Sequence, residues 1–158
     1  MLMLIALCGQ AQALPDFSSI PLESKSDFTE KANDAALKAA GYILATPAGK
    51  KDIERVLAKN YLIKWFMGTP DFNFVLGNRV KKLVGKSDDL LLLYTAGICK
   101  YALENRAAAA DSEKIQVGGV QLMVQYINNK RNQIKITGEV KKLQYAGTKG
   151  RLKEYLQL

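Results

Sequence analysis

Apolar residues recur three or four positions apart through most of the chain after residue 27, a spacing that places them on one face of an α-helix. The pattern is clearest over Ser87–Asn105, where the leucine-rich run is apolar nearly all round. Ser87 is a suitable N-cap, and Asp88 and Asp89 in the first turn complement the helix dipole. A helix that is apolar on every side is a buried one, so we expect this segment to be the central helix of the core.

Five further segments carry the same spacing and are separated by glycine, proline or polar residues. They are predicted to begin near Asp27, Lys51, Phe72, Asp111 and Val140, and to end near Ile43, Met67, Val84, Ile127 and Ala146. In the first of them, Asp27 and Glu30 form a pattern like a capping box. In the second, the pattern predicts a buried stripe with charged residues opposite it. The stripe is Ile53, Val56, Leu57, Tyr61 and Trp65, and the opposite side carries Lys51, Glu54, Arg55 and Lys59.

Two local patterns interrupt this helical scheme. Gly118 and Gly119 fall inside the fifth helix, which indicates either a close helix crossing or a helix that begins later than drawn. Gln133–Thr137 alternates well enough to predict a short strand, although no partner strand is evident.

The sequence therefore predicts an all-α protein, an irregular bundle of about six helices joined by short loops. A short stack of helical hairpins is the alternative, although no fixed internal repeat supports it. At 158 residues the chain is expected to form one domain. We assign residues 27–158 to a single helical domain and residues 14–26, which contain prolines and serines, to an extended N-terminal lead-in.

Residues 1–13 have the pattern of a secretory signal peptide. The apolar run from Met1 to Cys8 is followed by Ala11-Gln12-Ala13, the small-x-small pattern that a signal peptidase reads. The run is too short to cross a bilayer, so we expect cleavage after Ala13 and a periplasmic or secreted bacterial protein. The absence of a positive charge before the run favours a start codon further upstream. Lipidation at Cys8 and a packed N-terminal helix are the weaker alternatives.

The chain contains no histidine, and this excludes the commonest catalytic sites. A Ser-His-Asp triad, a Cys–His pair and an imidazole zinc site all require one. Carboxylate pairs, a Ser–Lys pair and oxygen-ligated metals remain possible chemistries, but no residue pattern selects catalytic residues, a metal site or a cofactor. After cleavage Cys99 is the only cysteine, and its place on the core stripe predicts a buried, inert thiol.

Most of the net charge of +8 lies at the C-terminal end of the chain. Residues 130–158 hold eight lysines and arginines against two glutamates, which is +6. This charge is consistent with an anionic partner, such as lipid headgroups, an acidic glycan or an acidic protein face, but a solvated surface that keeps the protein soluble is the favoured explanation. The candidate contact residues are Lys130, Arg131, Lys141, Lys142, Lys149, Arg151 and Lys153. We do not expect nucleic acid as a partner, because the protein is expected to be exported.

A second candidate contact region is the aromatic segment from Trp65 to Phe74. Trp65 and Phe72 could line a groove at the junction of two helices, whereas aromatics at helical spacing are more often core residues. Gly147-Thr148-Lys149-Gly150 superficially resembles a phosphate loop, but it lacks the required spacing and is better explained as a turn that ends a helix.

Taken together, these patterns favour a binding or interaction module of the bacterial cell envelope over an enzyme. Its partner would be an envelope protein or an anionic surface. One alternative is a carboxylate-dependent hydrolase of envelope polymers, for which Asp71, Asp88, Asp89 and Glu104 are the nearest acids but form no evident pair. The other alternative is a structural subunit, which a large exposed apolar patch would favour.

Overall fold

A computed structural model of the protein describes residues 13–48 and 52–158. Over these residues the chain forms seven α-helices and four short 3-10 turns, with no strand. The helices are α1 Glu30–Ala45, α2 Ile53–Gly68, α3 Asn78–Val84, α4 Asp88–Glu104, α5 Ser112–Asn128, α6 Gly138–Thr148 and α7 Leu152–Leu156. The predicted all-α class and irregular bundle are confirmed.

Helix α4 lies at the centre, as predicted. It packs against α1, α2, α3 and α5, and residues on every side of it are buried. The amide of Leu90 donates to Oγ of Ser87 at 3.2 Å, so Ser87 is the N-cap that the sequence indicated. One contiguous set of buried apolar residues surrounds this helix and extends from Ile20 to Leu156.

The glycine pair in α5 marks a close helix crossing. A Cβ placed on Gly97 of α4 would lie 2.3 Å from the carbonyl oxygen of Gly119, so the two backbones meet with no side chain between them. At the neighbouring turn, the ring of Tyr101 lies against Gly118, where a Cβ would come within 2.2 Å of it. Helix α5 itself begins at Ser112, and of the two explanations for Gly118 and Gly119 the crossing is therefore the one confirmed.

Helix α1 begins at Glu30 rather than near Asp27, with Thr29 as its N-cap. Asp27 instead accepts hydrogen bonds from the amides of Glu23 and Ser24, at 2.8 and 2.7 Å, and closes a separate 3-10 turn. The lead-in over residues 14–26 is accordingly not simply extended. A second 3-10 turn at residues 17–19 is capped by Asp16, and Phe17 stacks on Tyr61 of α2 with ring centroids 4.6 Å apart.

The predicted stripe of α2 is buried only in part: Tyr61 and Trp65 are buried, as predicted, but its first three residues are not. Ile53, Val56 and Leu57 are 78, 55 and 51 % exposed, whereas Arg55 is buried. The cause lies at the end of α1. There Nη1 of Arg55 donates to the carbonyl oxygens of Ile43 and Thr46, at 2.7 and 3.0 Å. The last carbonyls of a helix have no partner within it, so a buried guanidinium that satisfies them turns α2 about its axis and exposes the apolar residues.

Two further local predictions are also wrong. The segment from Phe72 to Gly77 is not helical, and α3 begins only at Asn78. Phe72 and Phe74 point inward between exposed neighbours, and they pack against Trp65 with ring centroids 6.1 and 6.2 Å away. This period of two suits an extended chain. Residues 133–137 are irregular rather than a strand, since no neighbouring strand in the described ranges can pair with them.

The predicted signal peptide lies outside the described residues, except for Ala13. Within the described ranges, no helix is both long enough and apolar enough to cross a membrane.

The crossing of α4 and α5 can be tested by adding one methyl group. In Gly97→Ala the Cβ meets the backbone of Gly119 and forces the helices apart, so we expect the free energy of unfolding to fall by about 1–3 kcal/mol. Gly41→Ala, in α1, is the matched control because no atom lies within 4 Å of its added Cβ. Better helix propensity should raise its stability by up to about 1 kcal/mol. Urea unfolding midpoints measure both effects, and a stabilised Gly97→Ala would contradict the close crossing.

Candidate functional site

Helices α3, α6 and α7 meet and form a cleft of about 460 Å³ that is open to solvent on one side. Helix α6 reaches this position by packing closely on α5, where the side chain of Val124 lies against Gly147. The chain then turns sharply into α7 through Gly150, which has a φ of +68°. The amide of Arg151 donates to the carbonyl oxygen of Ala146 at 2.8 Å across this turn. The Gly147–Gly150 segment is therefore a helix-ending turn, as predicted.

The cleft carries an excess of positive charge. Four of the residues that line it are cationic, and one is a carboxylate. The lining residues are Arg79 from α3, Lys141, Lys142, Tyr145 and Ala146 from α6, Arg151 just before α7, and Glu154 and Tyr155 from α7. The four cations come from α3, from α6 and from the residue before α7, so the fold brings their charges together.

Arg79 and Tyr155 form the inner part of the cleft. The guanidinium carbon of Arg79 lies 4.6 Å from the centre of the Tyr155 ring, a cation–π contact. Nε of Arg79 and the hydroxyl of Tyr155 are both buried, and neither has a hydrogen-bond partner in the described part of the chain. The same is true of Oε2 of Glu139, an acceptor 3.7 Å from Nη1 of Arg79. Burial raises the pKa of Tyr155 above its ordinary value, so the hydroxyl keeps its proton and remains a donor.

Glu139, at the start of α6, is the carboxylate closest to the cations around Arg79. It pairs with Lys142 at 2.9 Å, and Lys82 Nζ and Arg79 Nη1 lie 3.8 and 3.7 Å from its oxygens. The hydrogen bond from Lys142, together with the charges of Arg79 and Lys82, holds the pKa of Glu139 below its ordinary value. Glu139 thus shares one negative charge among three cations, of which Arg79 and Lys142 line the cleft.

The other side of the cleft is closed by an ion pair between Arg151, just before α7, and Glu154 of α7. Nε and Nη2 of Arg151 both donate to Oε2 of Glu154, at 2.9 and 2.5 Å. Lys141 has no carboxylate within ion-pairing distance among the residues described. Tyr145 is exposed at the rim. The arrangement can therefore hold an anionic group between a planar guanidinium and a flexible ammonium, with an aromatic face beside the opening.

The structure divides the predicted basic residues into two groups. Lys141, Lys142 and Arg151 converge in the cleft, whereas Lys130, Arg131 and Lys149 are exposed and do not line it. Lys153 lies elsewhere and pairs with Glu113 at 2.7 Å. Sequence reasoning missed Arg79 and Tyr155. Arg79 precedes the basic segment by some fifty residues, and only the packing of α3 on α6 and α7 brings it there.

Trp65 and Phe72 do not form a partner-binding groove. Trp65 has no exposed surface, and its indole N–H donates to Oδ1 of Asn33 at 2.9 Å. Asn33 in turn donates to Asp71 at 3.2 Å. Phe72 is buried against Trp65. Both aromatic residues belong to the core, which removes them from the set of candidate contacts.

The acids that the sequence singled out are distributed over α4 and the segment that follows α2. Asp88 and Glu104 lie at opposite ends of α4, about 24 Å apart at 1.5 Å per residue, and Glu104 pairs with Lys100. Asp71 is held by Asn33. Within residues 13–48 and 52–158, no three acidic or thiol side chains are placed to hold a metal ion. Cys99 is fully buried, and burial raises the pKa of its thiol well above the ordinary value.

No protein-family model matches this chain, and neither the curated proteins nor the solved structures include a significant match.

The unpaired hydroxyl of Tyr155 gives a direct test of the cleft geometry. Because an unpaired buried hydroxyl costs about 1–3 kcal/mol, Tyr155→Phe should leave the free energy of unfolding unchanged or raise it. Tyr126→Phe is the control, since that hydroxyl donates to the carbonyl oxygen of Thr46 at 2.7 Å. Its loss should cost about 1 kcal/mol in the same urea titration. Equal losses in the two variants would mean that Tyr155 has a partner in the folded protein.

Proposed function

We propose that this protein is an exported binding module of the bacterial cell envelope, and that the cleft between α3, α6 and α7 binds a phosphate-bearing ligand. The observation that carries the proposal is the presence of two buried, unpaired donors in a cleft with four cations. Export rests on the signal-peptide pattern of residues 1–13.

The unpaired donors favour an oxyanion as the ligand. A buried donor without an acceptor costs about 1–3 kcal/mol, and an oxygen atom brought in by a ligand would recover that cost. Hydrogen bonds from a guanidinium to a phosphate oxygen are charge-assisted and are roughly twice as strong as neutral ones. Arg79 and Tyr155 would thus supply directional contacts, and Lys141 would supply charge that no carboxylate of the described chain neutralises.

The open shape of the cleft favours a headgroup or a polymer over a small metabolite. Enclosed sites bury most of a small ligand, whereas this cleft leaves one side to solvent. A phosphate group could enter while the remainder of its molecule stays outside, next to the exposed ring of Tyr145. Lipid headgroups and phosphate-bearing envelope polymers both present such a group.

The test is calorimetric titration of the protein with two probes that separate these sources. The probes are glycerol phosphate in solution and vesicles containing phosphatidylglycerol, with phosphatidylcholine vesicles as the neutral comparison. Lys141→Gln and Arg79→Gln should each weaken binding about tenfold or more, because each removes a charged contact worth about 1.5–3 kcal/mol. Glu139→Gln should tighten binding, since it removes the competing carboxylate.

Lys130→Gln is the matched control for these variants. It removes the same charge from the same basic segment but lies outside the cleft, so its affinity should change by less than about twofold at physiological salt, where charges beyond about 8 Å are screened. An equal loss in Lys130→Gln and Lys141→Gln would mean that the basic surface acts only through its total charge, and it would reject the cleft as a site.

A further inference from the structure

The outward side of α2 is an apolar surface that no described part of the chain covers. Ile53, Val56 and Met67 are 78, 55 and 80 % exposed, and Ile63 is half-buried between them. This surface results from the buried Arg55, which turns the opposite side of α2 toward α1. Contiguous apolar patches on soluble monomers are usually small, and larger ones mark interaction sites.

The residues of this surface follow a seven-residue repeat. Positions 53, 56, 60, 63 and 67 are spaced alternately by three and four, as are the a and d positions of a coiled coil. They carry Ile, Val, Asn, Ile and Met, in that order. The residues at the f positions of the same repeat, Ala58 and Trp65, are fully buried in the protein's own core. The apolar seam therefore points directly away from the molecule.

A hollow beside the seam would receive a side chain from a partner. It has a volume of about 290 Å³ and lies between α2 and α4, with Ile63, Met67 and Leu91 among its walls and Lys59 and Asp88 as its charged residues. Interfaces commonly place a large apolar anchor in a pocket of this kind at the centre of the contact.

We propose that this face of α2 binds an amphipathic helix of another protein, with apolar residues in a heptad pattern and acidic residues flanking them. The heptad spacing selects a helix as the partner element, because its side chains can fill the spaces between residues 53, 56, 60, 63 and 67. Asn60 lies at a central a position. A polar residue there sets the register and limits the choice of partner.

The charges that flank the seam determine which charge the flanking residues of the partner helix should carry. Lys59 and Lys64 occupy the g and e positions on either side of Asn60, and Lys64 also makes an exposed ion pair with Glu23 at 3.0 Å. In a parallel pair of identical helices, Lys59 of one copy would face Lys64 of the other and repel it. The net charge of +8 adds to the repulsion between two copies of this chain. Acidic residues at the matching positions of a different helix would instead pair with Lys59 and compete with Glu23 for Lys64, because an exposed ion pair of this kind is weak.

The probe for this proposal is a synthetic three-heptad peptide with Ile at a, Leu at d, Asn at the central a position and Glu at every e and g. Its counterpart has Lys at every e and g. We expect the full protein to bind the acidic peptide, measured by fluorescence anisotropy, at least about tenfold more tightly than the basic one. Val56→Asp and Met67→Asp place a charge in the seam and should each weaken binding of the acidic peptide about tenfold or more.

The double variant Lys59→Glu, Lys64→Glu is the decisive test, because a structural defect cannot invert a preference. It should bind the basic peptide more tightly than the acidic one. Lys38→Gln, an exposed lysine of α1, is the single-charge control and should bind the acidic peptide as the unaltered protein does. Failure to bind the acidic peptide, or equal binding of both peptides, would overturn the proposal. The proposal would also be overturned if the unaltered protein formed a dimer in sedimentation experiments and Val56→Asp abolished that dimer, because a second copy would then occupy the seam. These outcomes are independent of phosphate binding in the cleft.

Discussion

The contact of two backbones at Gly97 and Gly119 is the constraint on which the rest of the arrangement depends. It fixes α5 against α4 with no side chain between them, and the other helices pack against these two. Helix α4 supports α1 and α2 on one side, while α5 supports α6 and α7 on the other. The seam on α2 and the cleft at α6 and α7 therefore lie on separate parts of the bundle, and both are positioned by the same crossing.

Features set by neighbouring residues could be predicted from the sequence. The N-cap at Ser87, the central position of α4 and the turn at Gly150 all follow from residues within a few positions of one another. The rotation of α2 could not be predicted, because a periodicity argument treats an arginine as a surface residue. Here Arg55 is buried because its guanidinium donates hydrogen bonds to carbonyl oxygens at the end of α1 that have no partner within the helix. A helix can thus be apolar on its inner side and still expose apolar residues on the other.

The candidate cleft was predictable only in part, for a related reason. The basic C-terminal segment is visible as composition, and three of its residues do converge. Composition cannot distinguish Lys141, which has no carboxylate beside it in the described ranges, from Lys153, which pairs with Glu113. Arg79 was not detectable at all, since its relevance depends on α3 packing against helices that follow much later in the chain. Charge is a property of the sequence, whereas charge convergence is a property of the fold.

The single tryptophan of the chain occupies a position with a practical consequence. Trp65 lies on the core side of α2, joins α1 through Asn33, and packs against the extended Phe72–Phe74 segment. Three separate stretches of chain therefore meet at one indole. Its emission is a built-in, label-free signal for the integrity of the N-terminal half. Because the seam of α2 points the opposite way, a ligand that occupies the seam without disturbing the core would leave that signal unchanged.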